Sequence, residues 1–327
     1  MAQTTLRIGT RESQLAVWQA TLVQNLLKEN GVASELVYIK SEGDIDTVTP
    51  LYEMGVQGIF TKTLDAALLS NRIDIAVHSM KDVPTRLAKN IQQAAVLKRA
   101  SYKDILVYKG KREDIEIELG IKDLDDSTFN SQFSILNSQF TIATSSIRRK
   151  AQWLHRYPHH IIENLRGNVN TRMHKVEECN WNGAIFAAAG LERIGLRPKN
   201  SIDLDWMLPA PAQGAIMVVC RADDHYSYEA CQPFNDAATA LCTKIEKDFL
   251  RILMGGCSTP ISALAEINED TILFKGNLCS INGKQKIEIE KEIAVEESEM
   301  TGMLAAQELL SNPEAQQILT DIRNAKI

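Results

Sequence analysis

The chain has 327 residues, of which 44% are hydrophobic and 24% are charged, a composition that suits an ordinary globular protein with two or three domains. Its net charge of −6 argues against a nucleic-acid partner. The N-terminus lacks a basic flank followed by an apolar run, and apolar stretches such as 184–190 are too short to cross a bilayer. We therefore expect a cytoplasmic protein that makes no membrane contact.

Predicted strands and helices alternate over the first hundred residues. The predicted strands are 6–8, 35–39 and 73–77, and the predicted helices start at Ser13 and span 60–69. This alternation favours an α/β fold, with a parallel or mixed sheet and helices on both faces. Ligands of such sheets bind at the carboxyl ends of strands, where this chain has residues 9–11 and 78–82.

The middle of the chain predicts a second α/β unit. Residues 109–140 are polar and carry weak signals, so we expect a surface excursion there. A strand at 141–143 then leads into a helix that Ser145 or Ser146 can cap. A strand at 161–165, a helix from Asn170, a strand near 184–187 and a turn at 190–191 follow. The proline-rich segment 208–214 predicts an interdomain hinge, and 216–220 a strand beyond it.

The C-terminal part predicts a third, smaller α+β domain. A long helix over 237–254 leads to the sequence Gly-Gly-Cys-Ser-Thr-Pro at 255–260. Predicted strands follow at 261–267, 272–276 and 287–293, with helices near 299–310 and 313–324. The predicted division is therefore 1–103 with 214–235 for domain 1, 104–213 for domain 2 and 236–327 for domain 3.

Several arginines follow predicted strands or open predicted helices. They are Arg11, Arg148, Arg149, Arg166 and Arg172. Guanidinium groups beside helix N-termini bind carboxylates or phosphates well, because the forked donors and the helix dipole act together. The set predicts a ligand with several negative charges. The alternative is a group of surface arginines in ordinary ion pairs.

Lys81 and Asp82 follow the predicted strand 73–77. An acid in a cleft crowded with cations can stay ionised and stabilise a developing positive charge. The alternative is an aspartate that caps a helix beside a solvated lysine. We interpret His78, which lies close to this motif, as a packing or hydrogen-bonding residue rather than a base.

Cys257 differs from the other cysteines in its surroundings. None of the six cysteines lies in a C-x-x-C pair and no histidine cluster has zinc-ligand spacing, so no metal site is predicted. Two glycines before Cys257 and Pro260 after it indicate a tight, exposed turn. An accessible thiol there can be a nucleophile or an attachment point. A small residue that merely fills a turn would have the same neighbours.

Taken together, these segments resemble the porphobilinogen deaminase family from near the N-terminus to beyond Cys257. The resemblance is carried by specific motifs in the expected order: LRIGTRES at 6–13, GIFTK at 58–62, DIAVHSMKDVP at 74–84, TSSIRR at 144–149, LRGNV at 165–169, QGA at 213–215 and GGC at 255–257. It implies a three-domain α/β enzyme. Its first two domains would resemble the lobes of periplasmic binding proteins, and the small α+β third domain would carry the cofactor loop.

The resemblance implies a transferase of tetrapyrrole (heme) biosynthesis, a hydroxymethylbilane synthase. Such an enzyme deaminates four porphobilinogen molecules, condenses them head to tail on a primer and releases linear hydroxymethylbilane by hydrolysis. The primer is a dipyrromethane cofactor, which here would be held by a thioether to Cys257. Asp82 would be the catalytic residue, hydrogen-bonded to pyrrole nitrogens and stabilising the azafulvene cation left when ammonia departs. Nothing in the sequence demands more than a monomer.

The same matching implies two sets of binding residues. The cofactor would be held by Lys81, Asp82, Ser146, Arg148 and Arg149. The substrate side would be lined by Arg11, Ser13, Phe60, Arg166, Arg172, Arg193 and Gln213. The chain departs from the usual family pattern at four positions, with Gln57, Thr63, Asn182 and Ala212 in place of Lys, Glu, Asp and Gly. We expect these departures to affect lid electrostatics and rate rather than the reaction itself.

Two other classes of function fit part of the sequence. A non-catalytic binding protein with two α/β lobes could carry a carboxylate ligand, but it would need neither the Gly-Gly-Cys loop nor a cytoplasmic location. A thiol-dependent enzyme could use Cys257 as a transient nucleophile, but no histidine partner is recognisable.

Overall fold

The computed structural model describes residues 5–40, 61–121, 140–253 and 259–325, and three β-sheets lie within them. The strands are β1 (Leu6–Thr10), β2 (Ser34–Tyr38), β3 (Ile75–Ser79), β4 (Ile91–Val96), β5 (Asp104–Tyr108), β6 (Thr141–Ala143), β7 (Ile161–Glu163), β8 (Gly183–Ala187), β9 (Ser201–Asp203), β10 (Ile216–Arg221), β11 (Ile261–Asn268), β12 (Thr271–Cys279) and β13 (Lys286–Ala294). The helices are α1 (Gln14–Glu29), α2 (Lys62–Leu69), α3 (Arg112–Glu118), α4 (Ile147–Arg156), α5 (Val169–Glu178), α6 (Ala188–Glu192), α7 (His225–Cys231), α8 (Ala237–Ile252), α9 (Thr301–Ser311) and α10 (Pro313–Asn324). Of the helices in these ranges, none is long and apolar enough to cross a membrane.

The first sheet has the strand order β2-β1-β3-β10-β4 and is mixed. β1 pairs in parallel with β2 and β3, whereas β10 runs antiparallel to β3 and β4. Side chains alternate between the faces of a strand, so Ile75 and Val77 pack with α1 and α7 while Ala76 packs with α2. This sheet is therefore buried on both faces.

The second sheet repeats this arrangement with the order β7-β6-β8-β5-β9. β6 is parallel to β7 and β8, and β5 is antiparallel to β8 and β9. Trp153 of α4 fills the core on one face, and Val176 of α5 lies in the core on the other. Two mixed sheets with helices on both faces confirm the predicted α/β class.

The third sheet is antiparallel and has the order β11-β12-β13. Helices α8, α9 and α10 cover it and bury one continuous core. Phe249 of α8 meets Phe274 of β12 edge to face, with ring centroids 5.2 Å apart. This is the smaller α+β unit that the C-terminal pattern predicts. The numbered boundaries between the three domains stay a prediction.

Two local predictions are wrong. The turn expected at 190–191 lies inside α6, because Gly190 has an ordinary negative φ and the helix continues through it. The start of the expected surface excursion is partly buried, since Ile115 of α3 and Leu119, directly after that helix, lie in the core of the second unit. Residues 122–139 of that excursion lie outside the described residues.

Ala212 has a backbone conformation that favours glycine. It lies in the connection from the second sheet back to the first, is fully buried and has a φ of 63°. A left-handed conformation costs a residue with a Cβ about 1–2 kcal/mol. The departure from the usual family glycine at this position therefore stores strain in the connection.

Replacing Ala212 with glycine should change the free energy of unfolding by less than about 1 kcal/mol. Relief of the left-handed strain offsets the lost burial of a methyl group, about 0.8 kcal/mol, and the added chain entropy of glycine. Ala215→Gly is the matched control, since Ala215 is in the same core but has ordinary backbone angles. Ala215→Gly should lower the free energy of unfolding, measured with urea, by about 1–2 kcal/mol. Equal losses in the two variants would show that Ala212 is unstrained.

Candidate active site

Helix α4 presents two adjacent arginines at its first turn. Ser146 is its N-cap, and the Ser146 Oγ accepts a hydrogen bond from the Arg149 backbone nitrogen at 3.4 Å. Of the two predicted caps, Ser146 is thus the one that serves, and it satisfies an amide that helix formation leaves unpaired. The side chains of Arg148 and Arg149 are buried. A buried guanidinium needs a nearby anion, which lies on β5.

Asp104 is that anion. Its side chain is completely buried at the start of β5. Asp104 Oδ2 accepts from Arg148 Nη2 at 2.6 Å, and Oδ1 accepts from Arg149 Nη2 at 2.8 Å and Nε at 3.1 Å. Burial alone would raise the pKa of Asp104, but Arg148 and Arg149 outweigh it and hold the pKa far below its usual value. Asp104 therefore stays ionised and fixes both guanidinium groups.

Gln213 connects this ion cluster to Lys81. Its Oε1 accepts a hydrogen bond from Lys81 Nζ at 3.2 Å, and its Nε2 donates to Tyr102 O at 2.7 Å and to Asp104 Oδ1 at 2.9 Å. Lys81 and Asp82 lie in a short 3-10 turn directly after β3. Desolvation, and then the positive charge of Arg149, lowers the pKa of Lys81 to about 8.

Arg166 and Arg172 join the same group of cations. Burial, and then Arg149 and Arg166, lowers the pKa of Arg172 to about 10, while Asp82 acts in the opposite direction. Arg172 must therefore lie close to Arg149, Arg166 and Asp82, because their charges shift its pKa. Hydrogen bonds thus join Arg148, Arg149 and, through Gln213, Lys81 to Asp104, while Arg172 lies within range of the charges of Arg149, Arg166 and Asp82. The alternative of surface arginines in ordinary ion pairs does not fit Arg148, Arg149 and Arg166, because these three side chains are buried.

His78 is a buried neutral imidazole beside this group. Desolvation, followed by the charges of Arg11 and Lys247, lowers the pKa of His78 to about 3. Within the described ranges, its Nε2 has no hydrogen-bond partner. Packing in the interior agrees with the predicted role of His78. Because the charge of Arg11 lowers the pKa of His78, Arg11 lies near the end of β3 that carries His78.

Arg193 and Ser13 make contacts at the first helix and the connection. Arg193 Nη2 donates to Gly214 O at 2.7 Å, and its guanidinium lies over the ring of Trp18, 5.8 Å from the ring centroid. Ser13 is the N-cap residue of α1. Burial lowers the pKa of Arg193 to about 10. The described contacts of Arg193 therefore hold α1 against the connection at Gly214.

Some predicted positions cannot be compared with the structure. Cys257, Phe60 and Gln57 lie outside the described residues. Thr63 is in the first turn of α2, and Asn182 has a structural contact, because its Oδ1 accepts from Thr141 N at 2.8 Å. The amide of Asn182 thus replaces the usual aspartate while still pinning the start of β6.

Two buried carboxylates at the connections were missed by the sequence analysis. Besides Asp104, Glu246 of α8 is fully buried and accepts from Arg99 Nη1 at 2.6 Å and Nη2 at 3.1 Å. Asp104 stands between a lysine and an apolar run, and Glu246 lies on the inner face of a helix. A carboxylate in an otherwise apolar position is a signal, but its partners are remote in sequence and could not be named.

The arrangement fits a ligand with several carboxylates. The pKa values of Lys81, Arg148 and Arg172 are lowered first by desolvation and then by the charges of neighbouring arginines. Anionic groups that enter would replace the missing hydration and cancel the repulsion. Asp82, in the turn after β3, is an acidic residue close enough to Lys81 and Arg172 to affect their pKa values.

Two family models match most of the chain. The model described as "Porphobilinogen deaminase, dipyromethane cofactor binding domain" matches residues 6–229, and the model "Porphobilinogen deaminase, C-terminal domain" matches residues 240–311. A porphobilinogen deaminase of Acidithiobacillus ferrooxidans is 36% identical over 324 residues, covering 98% of this chain and 99% of the relative. One of Syntrophotalea carbinolica is 37% identical over 315 residues, covering 95% and 94%.

Similar solved structures are more distant. A nutrient-binding protein of Burkholderia cenocepacia bound to methionine has a TM-score of 0.40 and 14% identity, covering 72% of this chain and 93% of that one. A VFT2 domain of BvgS from Bordetella pertussis has a TM-score of 0.40 and 12% identity, covering 69% and 84%. Scores this low define neither the fold nor the function.

The sequence comparisons identify a transferase class that builds tetrapyrroles on a dipyrromethane cofactor. The chain belongs to the porphobilinogen deaminase family. Its function is accordingly the stepwise deamination and head-to-tail condensation of porphobilinogen on the dipyrromethane primer, and a non-catalytic carboxylate-binding role is not supported.

Asp104→Asn should lower the free energy of unfolding at pH 7 by about 3–5 kcal/mol, because it leaves two buried guanidinium groups without an anion. The folded-state pKa of Asp104 is depressed, so its stabilisation is present above the unfolded pKa of about 3.9 and is lost as the pH falls below it. The variant should therefore lose less stability than the parent protein between about pH 4 and pH 2.

Urea unfolding at several pH values measures this difference. Asp205→Asn is the control, because Asp205 is mostly exposed and forms a surface ion pair with Lys103 at 2.6 Å. Asp205→Asn should lower the free energy of unfolding at pH 7 by less than about 1 kcal/mol. A similarly small loss in Asp104→Asn would contradict the assigned role of the buried cluster.

Proposed function

We propose that the chain acts as a hydroxymethylbilane synthase whose dipyrromethane primer is attached by a thioether to Cys257. The observation that carries the residue assignments is the convergence of Lys81, Arg148, Arg149 and Arg172 near Asp82. Each pyrrole of the growing chain brings two carboxylates, so elongation requires many cations. When bound, the cofactor supplies the nucleophilic pyrrole carbon on which the chain grows.

Asp82 is the proposed catalytic residue. Loss of ammonia from porphobilinogen leaves positive charge on the pyrrole ring and its methylene carbon. A single anion beside that charge stabilises it, and the carboxylate can accept a hydrogen bond from the pyrrole N–H. The position of Asp82 in a rigid turn supports this role, since Lys247 Nζ of α8 donates to the carbonyls of Met80 and Val83 at 3.1 and 2.7 Å.

The cations have two proposed tasks. Lys81, Ser146, Arg148 and Arg149 bind the carboxylates of the cofactor, with their geometry set in advance by Asp104 and Gln213. The substrate side is formed by Arg11, Ser13, Phe60, Arg166 and Arg172. The contacts of Gln213 and Arg193 with backbone carbonyls support a positioning role for both, beside the ligand role that the family resemblance suggests.

We further propose the domain division 1–103 with 214–235, 104–213 and 236–327, which agrees with the membership of the three sheets. We also propose a cytoplasmic monomer without a nucleic-acid partner. Reduced cysteines support the compartment, since Cys179, Cys220, Cys231, Cys242 and Cys279 are free and all but Cys179 are buried.

Intact mass of the denatured protein tests the anchor. The parent should carry extra mass equal to two linked pyrrole units, and Cys257→Ser should fold without it, since the hydroxyl is a far weaker nucleophile than a thiolate. Cys279→Ser is the control, because this buried thiol has its pKa raised to about 12 by desolvation. That variant should keep the extra mass. A modified Cys257→Ser protein would exclude Cys257 as the anchor.

Asp82→Asn should keep the fold and the covalent cofactor but lower the turnover number by about 100-fold or more, because the amide cannot neutralise the developing cation. Steady-state formation of hydroxymethylbilane, together with intact mass, measures both properties. Asp65→Asn is the control: Asp65 is a partly buried carboxyl of α2, whose pKa desolvation raises to about 6. Turnover within about twofold of the parent in Asp82→Asn would remove Asp82 from the mechanism.

A further inference from the structure

Helix α4 reaches the third sheet through one buried glutamine. Gln152 lies one helical turn after Arg148 and is only 3% exposed. Its Nε2 donates to Leu208 O at 2.9 Å and to Ser262 Oγ at 3.0 Å. Its Oε1 accepts from Leu208 N at 3.0 Å and from Asn277 Nδ2 at 3.3 Å. The amide therefore uses both donors and both acceptor positions.

These partners belong to three different parts of the fold. Leu208 begins the connection back to the first sheet, Ser262 is the second residue of β11, and Asn277 is near the end of β12. Ser262 and Asn277 are themselves buried. Arg148 Nη1 donates to the same Leu208 carbonyl at 2.7 Å. The arginine that faces the site and the glutamine that faces the third sheet thus share one acceptor.

A second contact fixes the rotation of α4 against this sheet. The turn between β12 and β13 packs on the end of the helix, where His155 Nδ1 and Gly283 O are 2.9 Å apart. Gly283 has a φ of +72°, and a Cβ at this position would lie 2.6 Å from Ala151 O. A hydrogen-bonded node and a close backbone contact together leave the helix little freedom to slide along β11 and β12.

We propose that Gln152 is a positioning residue that sets the third sheet in register with the arginine helix. The chain from Cys257 to Ser262 is only five residues long, so the place of β11 determines where a group on Cys257 can reach. The inference rests on the proposed attachment at Cys257. Directed hydrogen bonds fix one register, whereas an apolar contact of the same volume would allow several.

The test follows cofactor assembly in apo-protein made in cells that lack porphobilinogen. Porphobilinogen is added, samples are quenched at intervals, and intact mass gives the rate of primer attachment. Gln152→Leu keeps the volume but removes four hydrogen bonds, and it should load at least about tenfold more slowly than the parent. The control is Gln232→Leu, because the Gln232 amide donates to Ala94 O at 2.7 Å in the first unit.

Melting temperature separates positioning from general stability. Both leucine variants should melt a few degrees below the parent. Each 1 kcal/mol lost from the free energy of unfolding lowers the melting temperature by at most about 4 °C in a chain of this size. Only Gln152→Leu should load slowly. Loading at the rate of Gln232→Leu would overturn the positioning role and leave Gln152 as a structural residue. Failure of the parent itself to gain mass would overturn the attachment at Cys257, and the inference with it.

Ser262→Ala provides a milder variant, in case Gln152→Leu does not fold. It removes one acceptor of the node and should slow loading by about threefold, an effect of about 0.65 kcal/mol. Where both variants fold, the double variant should load no more slowly than the slower single variant, because both changes break the same node. Independent, multiplicative effects, or loading of Ser262→Ala at the parent rate, would overturn the proposal.

Discussion

The buried carboxylate of Asp104 holds together the parts of the site that come from distant segments. Taking an ion out of water is costly unless charge and hydrogen bonds compensate, and here two guanidinium groups and one amide do so. The result is a cluster that joins β5, the first turn of α4 and the connection at Gln213. Because Gln213 also accepts from Lys81, the cluster extends to the turn that carries Asp82. Removing the anion would leave Arg148 and Arg149 without their buried partner and would take one acceptor from Gln213.

A second buried carboxylate does the same for the third sheet. Glu246 accepts from Arg99, from Ala212 N at 2.6 Å and from Ala265 N at 2.9 Å, so one side chain binds both connections between the first two sheets and strand β11. Arg99 Nε in turn donates to Gln213 O at 2.8 Å. The two carboxylates are thus linked through one glutamine. Strain at Ala212 is tolerated because its amide is held in this network.

Local sequence signals predicted most elements, because they act within a few residues. Periodicity located α1 and β12, and the cap of α4 was narrowed to Ser145 or Ser146, of which the structure uses Ser146. β5 was missed, although the apolar run at 105–108 is consistent with a fully buried strand. The cation cluster was anticipated from strand ends, which topology brings together. Its buried anion was not, since Asp104 and Arg149 are 45 residues apart and no local pattern pairs them.

The crowding of cations would favour the binding of a growing polyanion in the proposed site. Lys81 and Arg172 have lowered pKa values because they are desolvated and are repelled by neighbouring arginines. Asp104 offsets only part of that charge and is itself saturated by Arg148, Arg149 and Gln213. Each carboxylate that enters relieves repulsion already built into the fold. In the proposed site, relief of this repulsion would contribute to binding, and the contribution would fall as each further carboxylate neutralises the remaining charge.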